Sequence, residues 1–385
     1  SAEFDSVCAE IRLTDGTFWP LPVTLDIDEA KAEELTVGEP VALRDAEGVM
    51  LAALTVEEIF RPDRRTEAAA VFGTGDPSRT GAARFLRRTP SFAVAGRLEG
   101  LQLPGHYDFG ELRLTPMELR RKFARFGWRK VLAYQTHQTM HRSQQAATEH
   151  AAQDLGASLL IHPVVGLNKP GDVDHYTRVR CYQEILTHYP AFMTRLNLLP
   201  LAVRGGGPRE AMLHAIVHKN HGCSHFMVET NGGGSVLEVL GEPGYDDAEA
   251  REAVAAHAGD LGIDMVASKE MVWADNRKRY IPTTEVAADD RVPRMTGEDV
   301  RKRLADGREI PEWFSFPSVV RELRRRHPGR HSQGFTVFCT GLSGSGKSTI
   351  ANGLRVKLLE LGGRGVTLLD GDLVRKNLSS ELGFS

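Results

Sequence analysis

The feature that most narrows the possible folds is an alternation of short apolar runs with helix-like stretches between residues 130 and 228. Val131–Tyr134, Ser158–Val165, Leu198–Val203 and Ser224–Val228 read as strands. Between them, the stretch ending at Leu155, Thr177–Tyr189 and Pro208–Asn220 read as helices. Strands that alternate with helices pair side by side in one direction, each helix crossing back over the sheet. A parallel α/β sheet is therefore expected, and ligands of such sheets sit beyond the carboxyl ends of the strands. Three loops fall there: Gln135–Arg142, Arg204–Glu210 and Glu229–Gly234.

A chain of 385 residues exceeds one compact core and calls for several domains. Residues 1–113 are broken by turn signals at Asp15-Gly16, Glu47-Gly48, Pro62-Asp63 and Pro104-Gly105, with apolar stretches at Val49–Val56 and Phe92–Ala95. They read as a mainly β domain. Thr115-Pro116-Met117-Glu118 is a capping box with proline at the first helical position, opening a helix towards Phe126. Residues 114–261 then form the α/β domain and 262–323 a smaller α/β unit ending in an amphipathic helix. A basic linker, 324–333, leads to a further segment, 334–385. With 41% hydrophobic and 26% charged residues and a net charge of −3, the composition is that of a soluble globular protein. It gives no reason to expect a nucleic-acid or membrane partner. No apolar run approaches the ~20 residues of a membrane span, and Ser1–Glu10 lacks an apolar signal core. Cys8, Cys181, Cys223 and Cys339 are scattered singly, as reduced cysteines of a cytoplasmic protein would be. The chain lacks an initiator Met and is expected to begin inside a longer protein.

In the last segment, Gly341-Leu-Ser-Gly-Ser-Gly-Lys347-Ser348 fits G-x-x-x-x-G-K-[ST], between an apolar run expected to be a strand (Phe335–Thr340) and a helix (Thr349–Leu361). The backbone N–H groups of Gly341, Ser343, Gly344, Ser345 and Gly346 would cradle the β-phosphate of ATP, with the start of the helix, through Ser348 and Thr349, facing the same anion. Lys347 would reach the β- and γ-phosphates and the Ser348 hydroxyl would hold Mg2+. A second expected strand, Val366–Leu369, ends in Asp370-Gly371-Asp372, with Arg375 a turn later. Carboxylates there can hold a metal-bound water or take a proton; without the P-loop beside them, an ordinary Asp-Gly turn would be the better reading.

GLSGSGKST followed by LLDGDLVRKNLSSELGFS resembles adenylylsulfate (APS) kinase. The resemblance implies transfer of the ATP γ-phosphoryl group to the 3′-hydroxyl of APS, giving PAPS. It places Asp370 and Asp372 in that family's catalytic pair, with Asp372 as base and metal-water ligand, beside the catalytic Lys347. Arg375 and Phe384 match positions that grip and stack on APS. The family's next segment and its lid lie beyond Ser385, so the kinase is expected to be a fragment in this sequence.

Residues 1–323 resemble ATP sulfurylase (sulfate adenylyltransferase), in a bacterial fusion with the kinase at the carboxyl end. The resemblance runs through DGTFWPLPVTLD, RLEGLQLPGHYDF, LLIHPVVGLNKPGDVDHYTRVRCYQ, GPREAMLHAIVHKNHGCSHF and IPEWFSFPSVV. It implies a β-rich PUA-like domain, a nucleotidyltransferase (HUP-like) α/β domain and a small third domain, assembled as a homo-oligomer, dimer or hexamer. The reaction implied is attack of sulfate on the α-phosphorus of Mg·ATP with release of pyrophosphate. Such a site must align a weak nucleophile and neutralise charge. The family motif Q-x-R-N-P-x-H-R-x-H reads here Gln135-Thr-His137-Gln138-Thr139-Met-His141-Arg142-Ser-Gln144. Gln135, His141 and Arg142 match, while His137, Gln138, Thr139 and Gln144 replace Arg, Asn, Pro and His. Arginine is always cationic and forks onto an oxyanion, whereas histidine is mostly neutral at pH 7. The family's G-R-D-H-A-G loop is Glu229–Gly234 here, Gly205-Gly206 replace Met-Ala beside the matching Arg204, and Glu298 stands in place of a Thr. His162, His175, His214 and His218 are spread over several elements and read as core histidines rather than a zinc site. The expectation is an APS kinase acting on ATP and APS, with a sulfurylase site that is degenerate towards sulfate and pyrophosphate. The alternatives are a fully bifunctional enzyme or a non-catalytic nucleotide-binding scaffold.

Overall fold

The computed structural model describes residues 2–73, 80–165, 173–204, 206–228, 247–326, 334–342, 344–361 and 365–371. They form two compact units, residues 1–330 and 331–385.

The first unit opens with α1 (Ala2–Glu10), β1 (Leu25–Ile27), α2 (Glu29–Glu34), β2 (Pro40–Arg44), β3 (Met50–Phe60), α3 (Arg64–Phe72), α4 (Thr80–Arg88) and β4 (Phe92–Gly100). The strands form an antiparallel sheet in the order β1-β4-β3-β2. Every second residue of β3 faces the core, with Ala52, Leu54 and Val56 buried, as the two-residue period of a one-sided sheet requires. The sheet is where the apolar runs placed it, and four helices that the turn signals did not indicate share this region. The signal was available at Pro62-Asp63, read as a turn. Asp63 is the N-cap of α3 and accepts from Arg65 N at 3.0 Å and Thr66 N at 3.3 Å.

The junction is α5 (Pro116–Arg125), whose capping box is as the sequence indicates. Glu118 Oε2 accepts from Thr115 N at 2.8 Å and Thr115 Oγ1 accepts from Glu118 N at 3.4 Å. Such a cap contributes about 1 kcal/mol.

Next come β5 (Val131–Thr136), α6 (Arg142–Leu155), β6 (Ser158–Val165), α7 (His175–Leu186), β7 (Thr194–Leu196), β8 (Leu199–Pro200), α8 (Gly207–Asn220), β9 (His225–Val228), α9 (Asp247–Ala256), α10 (Ala258–Leu261) and β10 (Asp264–Ala267). All the pairings are parallel, in the order β10-β9-β5-β6-β7, with β8 extending the pairing of β6. β5 and β6 are buried along their whole length, because both faces are covered. Leu132, Tyr134, Leu159 and Ile161 face α6 and α7. Val131, Ala133 and Leu160 face α5 and α8. β10 lies past the division expected at 261/262, yet it adds to the edge of this sheet.

Of the expected strand Leu198–Val203, Leu199–Pro200 is paired, as β8. The chain leaves the sheet at Asn197, whose side chain bonds both backbone groups of Leu114, and Leu198 N donates to Leu112 O at 2.6 Å. Helix α7 starts earlier than expected because Asp174 caps it, accepting from Thr177 N at 3.2 Å.

A hairpin, β11 (Met271–Ala274) and β12 (Arg279–Pro282), precedes α11 (Gly297–Ala305) and α12 (Pro317–Arg326). Val300, Leu304, Val319, Val320 and Leu323 complete the core on the α6/α7 face. The second unit contains α13 (Lys347–Leu361). Phe335–Thr340 and Val366–Leu369, expected as strands, belong to no sheet among the described residues. Among the described residues no helix is long and apolar enough to cross a membrane.

Candidate functional site

Strand order reverses at β5: the chain goes first to β6 and β7 on one side, then to β9 and β10 on the other. The crevice between β5 and β9 is therefore the topological switch point, where open α/β sheets bind ligands. Gln135 lies near the carboxyl end of β5, buried, with its amide held from both sides. Nε2 is 3.1 Å from His214 Nδ1, and Oε1 is 2.7 Å from His218 Nε2.

The loop after β5 turns back into α6. Arg178 Nη1 donates to His137 O at 2.8 Å and Tyr182 Oη to Gln138 O at 2.6 Å, so α7 fixes the loop backbone. His141 is the N-cap residue of α6. Its N–H donates to Gln144 Oε1 at 3.0 Å, its Nδ1 lies 3.0 Å from Ser315 Oγ, and its ring packs on Phe314. Burial pushes this imidazole down to about 4, so it is neutral at pH 7. Arg142 turns away from the crevice. Nη1 donates to Glu312 O at 2.9 Å, and the guanidinium lies over the rings of Phe316 and Trp273 at 4.9 and 5.5 Å. Gln144, at the position of the family's second His, caps its own helix.

A cavity of about 640 Å³ opens between this loop and α11, with His137, His141, Gln144, Arg178, Val300 and Arg301 among its walls. Its size suits a nucleotide-sized ligand. The two arginines are cations that the sequence reading did not single out. Glu298, also on α11, pairs with Lys302 at 2.8 Å on the exposed side.

The second loop leads into α8. Glu210 is buried and accepts from Arg204 N at 2.6 Å and Gly206 N at 2.8 Å. Two arginines of this loop reach the amino-terminal region. Arg204 Nη1 donates to Pro22 O at 2.8 Å, while Arg209 donates to Val7 O and Cys8 O at 2.9 and 3.0 Å. The third loop, Glu229–Gly234, lies outside the described residues.

In the second unit, Gly344 and Gly346 adopt φ of 80° and 81°, and a Cβ on Gly341 would stand 2.7 Å from Ser345 Oγ. Such a backbone suits glycine. Lys347 Nζ donates to Gly341 O at 2.8 Å and Leu342 O at 2.7 Å, curling over its own loop. Ser348 and Thr349 are exposed in the first turn of α13. The Ser348 hydroxyl is a hard oxygen donor of the kind Mg2+ takes, so the residues present fit that ion. Asp370 is half-buried. Ser343, Asp372, Arg375 and Phe384 lie outside the described residues.

Sequence reasoning passed over His162, His214 and His218 as ordinary core and did not single out Asn197, and none of them is apolar in its contacts. The available signal was the i, i+4 spacing of His214 and His218, which sets both on the face of α8 that meets β5.

Family profiles match the chain in three stretches: a PUA-like domain at residues 1–103, ATP-sulfurylase at 110–326 and adenylylsulphate kinase at 333–385. The sulfate adenylyltransferases of Phaeosphaeria nodorum and Chaetomium globosum are each 46% identical, over all of this chain and 67% of their own length. Among solved structures, the hexameric APS kinase from Thiobacillus denitrificans superposes with a TM-score of 0.75 at 38% identity, over all of this chain and 68% of that one.

Proposed function

We propose, from the premise that this chain belongs to the ATP-sulfurylase family and carries an adenylylsulfate kinase domain after it, that it is a bifunctional enzyme of sulfate activation. One site would adenylylate sulfate from ATP, and the other would phosphorylate the 3′-hydroxyl of the APS so formed. The observation that carries this reading is full-length similarity to sulfate adenylyltransferases, on a sheet whose switch point holds Gln135. It shifts the weight from the degenerate-sulfurylase reading to the bifunctional alternative.

In this reading the cavity beside His137 and His141 receives nucleotide, and neutral His141 donates or accepts a hydrogen bond without adding charge. Arg178 and Arg301 supply positive potential in place of the missing motif arginine. In the kinase unit, nucleotide phosphates would displace the Gly341 and Leu342 carbonyls from Lys347, and Mg2+ would be held by Ser348. Asp372 would take the hydroxyl proton, with Asp370 beside it, and Arg375 and Phe384 would hold APS. The protein would work in the cytoplasm as a homo-oligomer.

A second reading keeps the kinase and weakens the sulfurylase. It rests on two loop cations, Arg142 and Arg204, whose guanidinium groups donate to Glu312 O and Pro22 O. Loss of one charged donor from a transition state removes on the order of 100-fold in rate. Pyrophosphate-dependent ATP synthesis from APS decides between them. A rate within about tenfold of the kinase step supports two working sites; a rate at least ~100-fold below it, the size of one lost donor, supports the kinase alone.

A further inference from the structure

Five polar side chains that the proposed reaction does not use directly run in one line through the core beneath the crevice. Asn197 Nδ2 lies 3.3 Å from His162 Nε2, His162 Nδ1 lies 3.2 Å from His218 Nδ1, and His218 Nε2 lies 2.7 Å from Gln135 Oε1. Gln135 Nε2 lies 3.1 Å from His214 Nδ1, and His214 Nε2 points at Glu210 Oε1, 3.8 Å away. All five, and Glu210, are buried.

The direction of this line follows from its ends. Leu114 N donates to Asn197 Oδ1 at 2.9 Å and Asn197 Nδ2 donates to Leu114 O at 3.2 Å, so unambiguous backbone groups fix which end of the amide is nitrogen. Asn197 Nδ2 also lies 3.4 Å from Leu198 O, and since the amide nitrogen cannot accept, His162 Nε2 beside it is bare and its Nδ1 carries the proton. That proton is donated to His218 Nδ1, which must be bare, leaving the proton of His218 on Nε2 to donate to Gln135 Oε1. The Gln135 amide in turn donates to a bare His214 Nδ1, which sets the His214 proton on Nε2, facing the carboxylate. At the far end Glu210 accepts from the backbone of Arg204 and Gly206. His162 and His218 each give one proton and receive one, and His214 receives one while its Nε2 makes no hydrogen bond, so an added proton on any bare nitrogen would set two donors face to face. Burial pushes His162 and His218 well below the usual imidazole range and lowers His214 and the adjacent His221.

We propose that Asn197, His162, His218, Gln135 and His214 form a single one-way hydrogen-bonded chain, in which the backbone of Leu114 dictates the orientation of the Gln135 amide. His162, His214 and His218 are then positioning residues. They present Gln135, which keeps one N–H and one lone pair for a ligand, in one fixed orientation at the crevice. The functional part of this inference rests on the adenylyl-transfer reading of that crevice, but the chain itself does not.

The test is the protonation pattern of the rings, read from long-range 1H–15N correlations of histidine-labelled full-length protein. The expected tautomers are Nδ1–H for His162 and Nε2–H for His218 and His214, unchanged from pH 8 to 6. Any other tautomer in the unsubstituted protein, or rings that titrate in the ordinary range, overturns the proposal without need of a variant. Asn197→Asp supplies the directional arm. Its carboxylate can only accept, so it should turn His162 to Nε2–H, and the reversal should pass through His218 to His214. A change confined to His162 would mean the rings are set independently, and the chain would fall. Failure of adenylyl transfer in the enzyme assay leaves these outcomes untouched, so the two readings fail separately.

Discussion

Lowering the pH should destabilise the first unit well before its carboxylates protonate. His141, His162 and His218 are held neutral in the fold by burial, His141 down to about 4 and the other two well below the ordinary range. In the unfolded chain the same rings take up a proton near 6.5. Their folded pKa values are depressed, so the unfolded state binds more protons as the pH falls through the unfolded value. The stability these rings contribute is therefore complete above about 6.5 and is lost progressively towards pH 4. One unit below the unfolded value, each ring that stays neutral costs ~1.4 kcal/mol. Three rings give a loss of about 4 kcal/mol by pH 5.5, a large share of the ~5–15 kcal/mol by which domains are stable. His214 and His221, shifted in the same direction, add to it. The assay is urea unfolding followed by tryptophan fluorescence, which isolates this unit because Trp19, Trp128, Trp273 and Trp313 all lie within it. The midpoint should fall by about 1 M or more between pH 7.5 and 5.5. A midpoint that stays level over that range would mean the rings are charged or hydrated in the fold, and the argument would be refuted.

Lys347→Ala should remove nearly all ADP release with APS as acceptor, since the amine neutralises charge on the transferring group; normal turnover would place that charge elsewhere. Glu210→Gln should cost the first unit roughly 2–3 kcal/mol, seen in the same urea midpoint, because one of two charge-assisted bonds to Arg204 N and Gly206 N becomes a donor facing a donor. If the adenylyl-transfer rate is low, His137→Arg, Gln138→Asn and Gln144→His together should raise it by about 100-fold or more. No gain would mean that Arg178 and Arg301 already serve the anion, or that the motif loop is not where it binds.

What could be read from the sequence is what local chemistry decides. The strand–helix alternation of residues 130–228 gave the parallel sheet, because a strand buried on both faces admits no other partner. Thr115 and Glu118 cap α5 within one turn, and the glycines around Lys347 need conformations that their neighbours alone dictate. The destinations of long side chains were not legible. Arg142 ends on Glu312 and Arg204 on Pro22, 170 and 182 residues away in the chain. No spacing rule reaches that far, so the ties these two arginines make within the first unit show only in the fold. The buried histidines were judged correctly as core, but their roles depend on Leu114 and Asn197, which meet only once the chain has left the sheet between β7 and β8.

The pairing of β10 with β9 has a consequence for how this protein is made. Until residues 264–267 emerge from the ribosome, β9 offers an unpaired parallel edge carrying Phe226 and Met227, both buried in the finished fold. A bare edge of this kind recruits strands from other chains. The α6/α7 face stays open still longer, until Val319, Val320 and Leu323 of α12 arrive. The nascent chain thus passes through a span of more than sixty residues in which the crevice-bearing sheet exists but is not yet closed. Chaperone engagement should concentrate in that interval. A polypeptide stopped at 261 should aggregate, whereas one stopped after Arg326 should stay soluble.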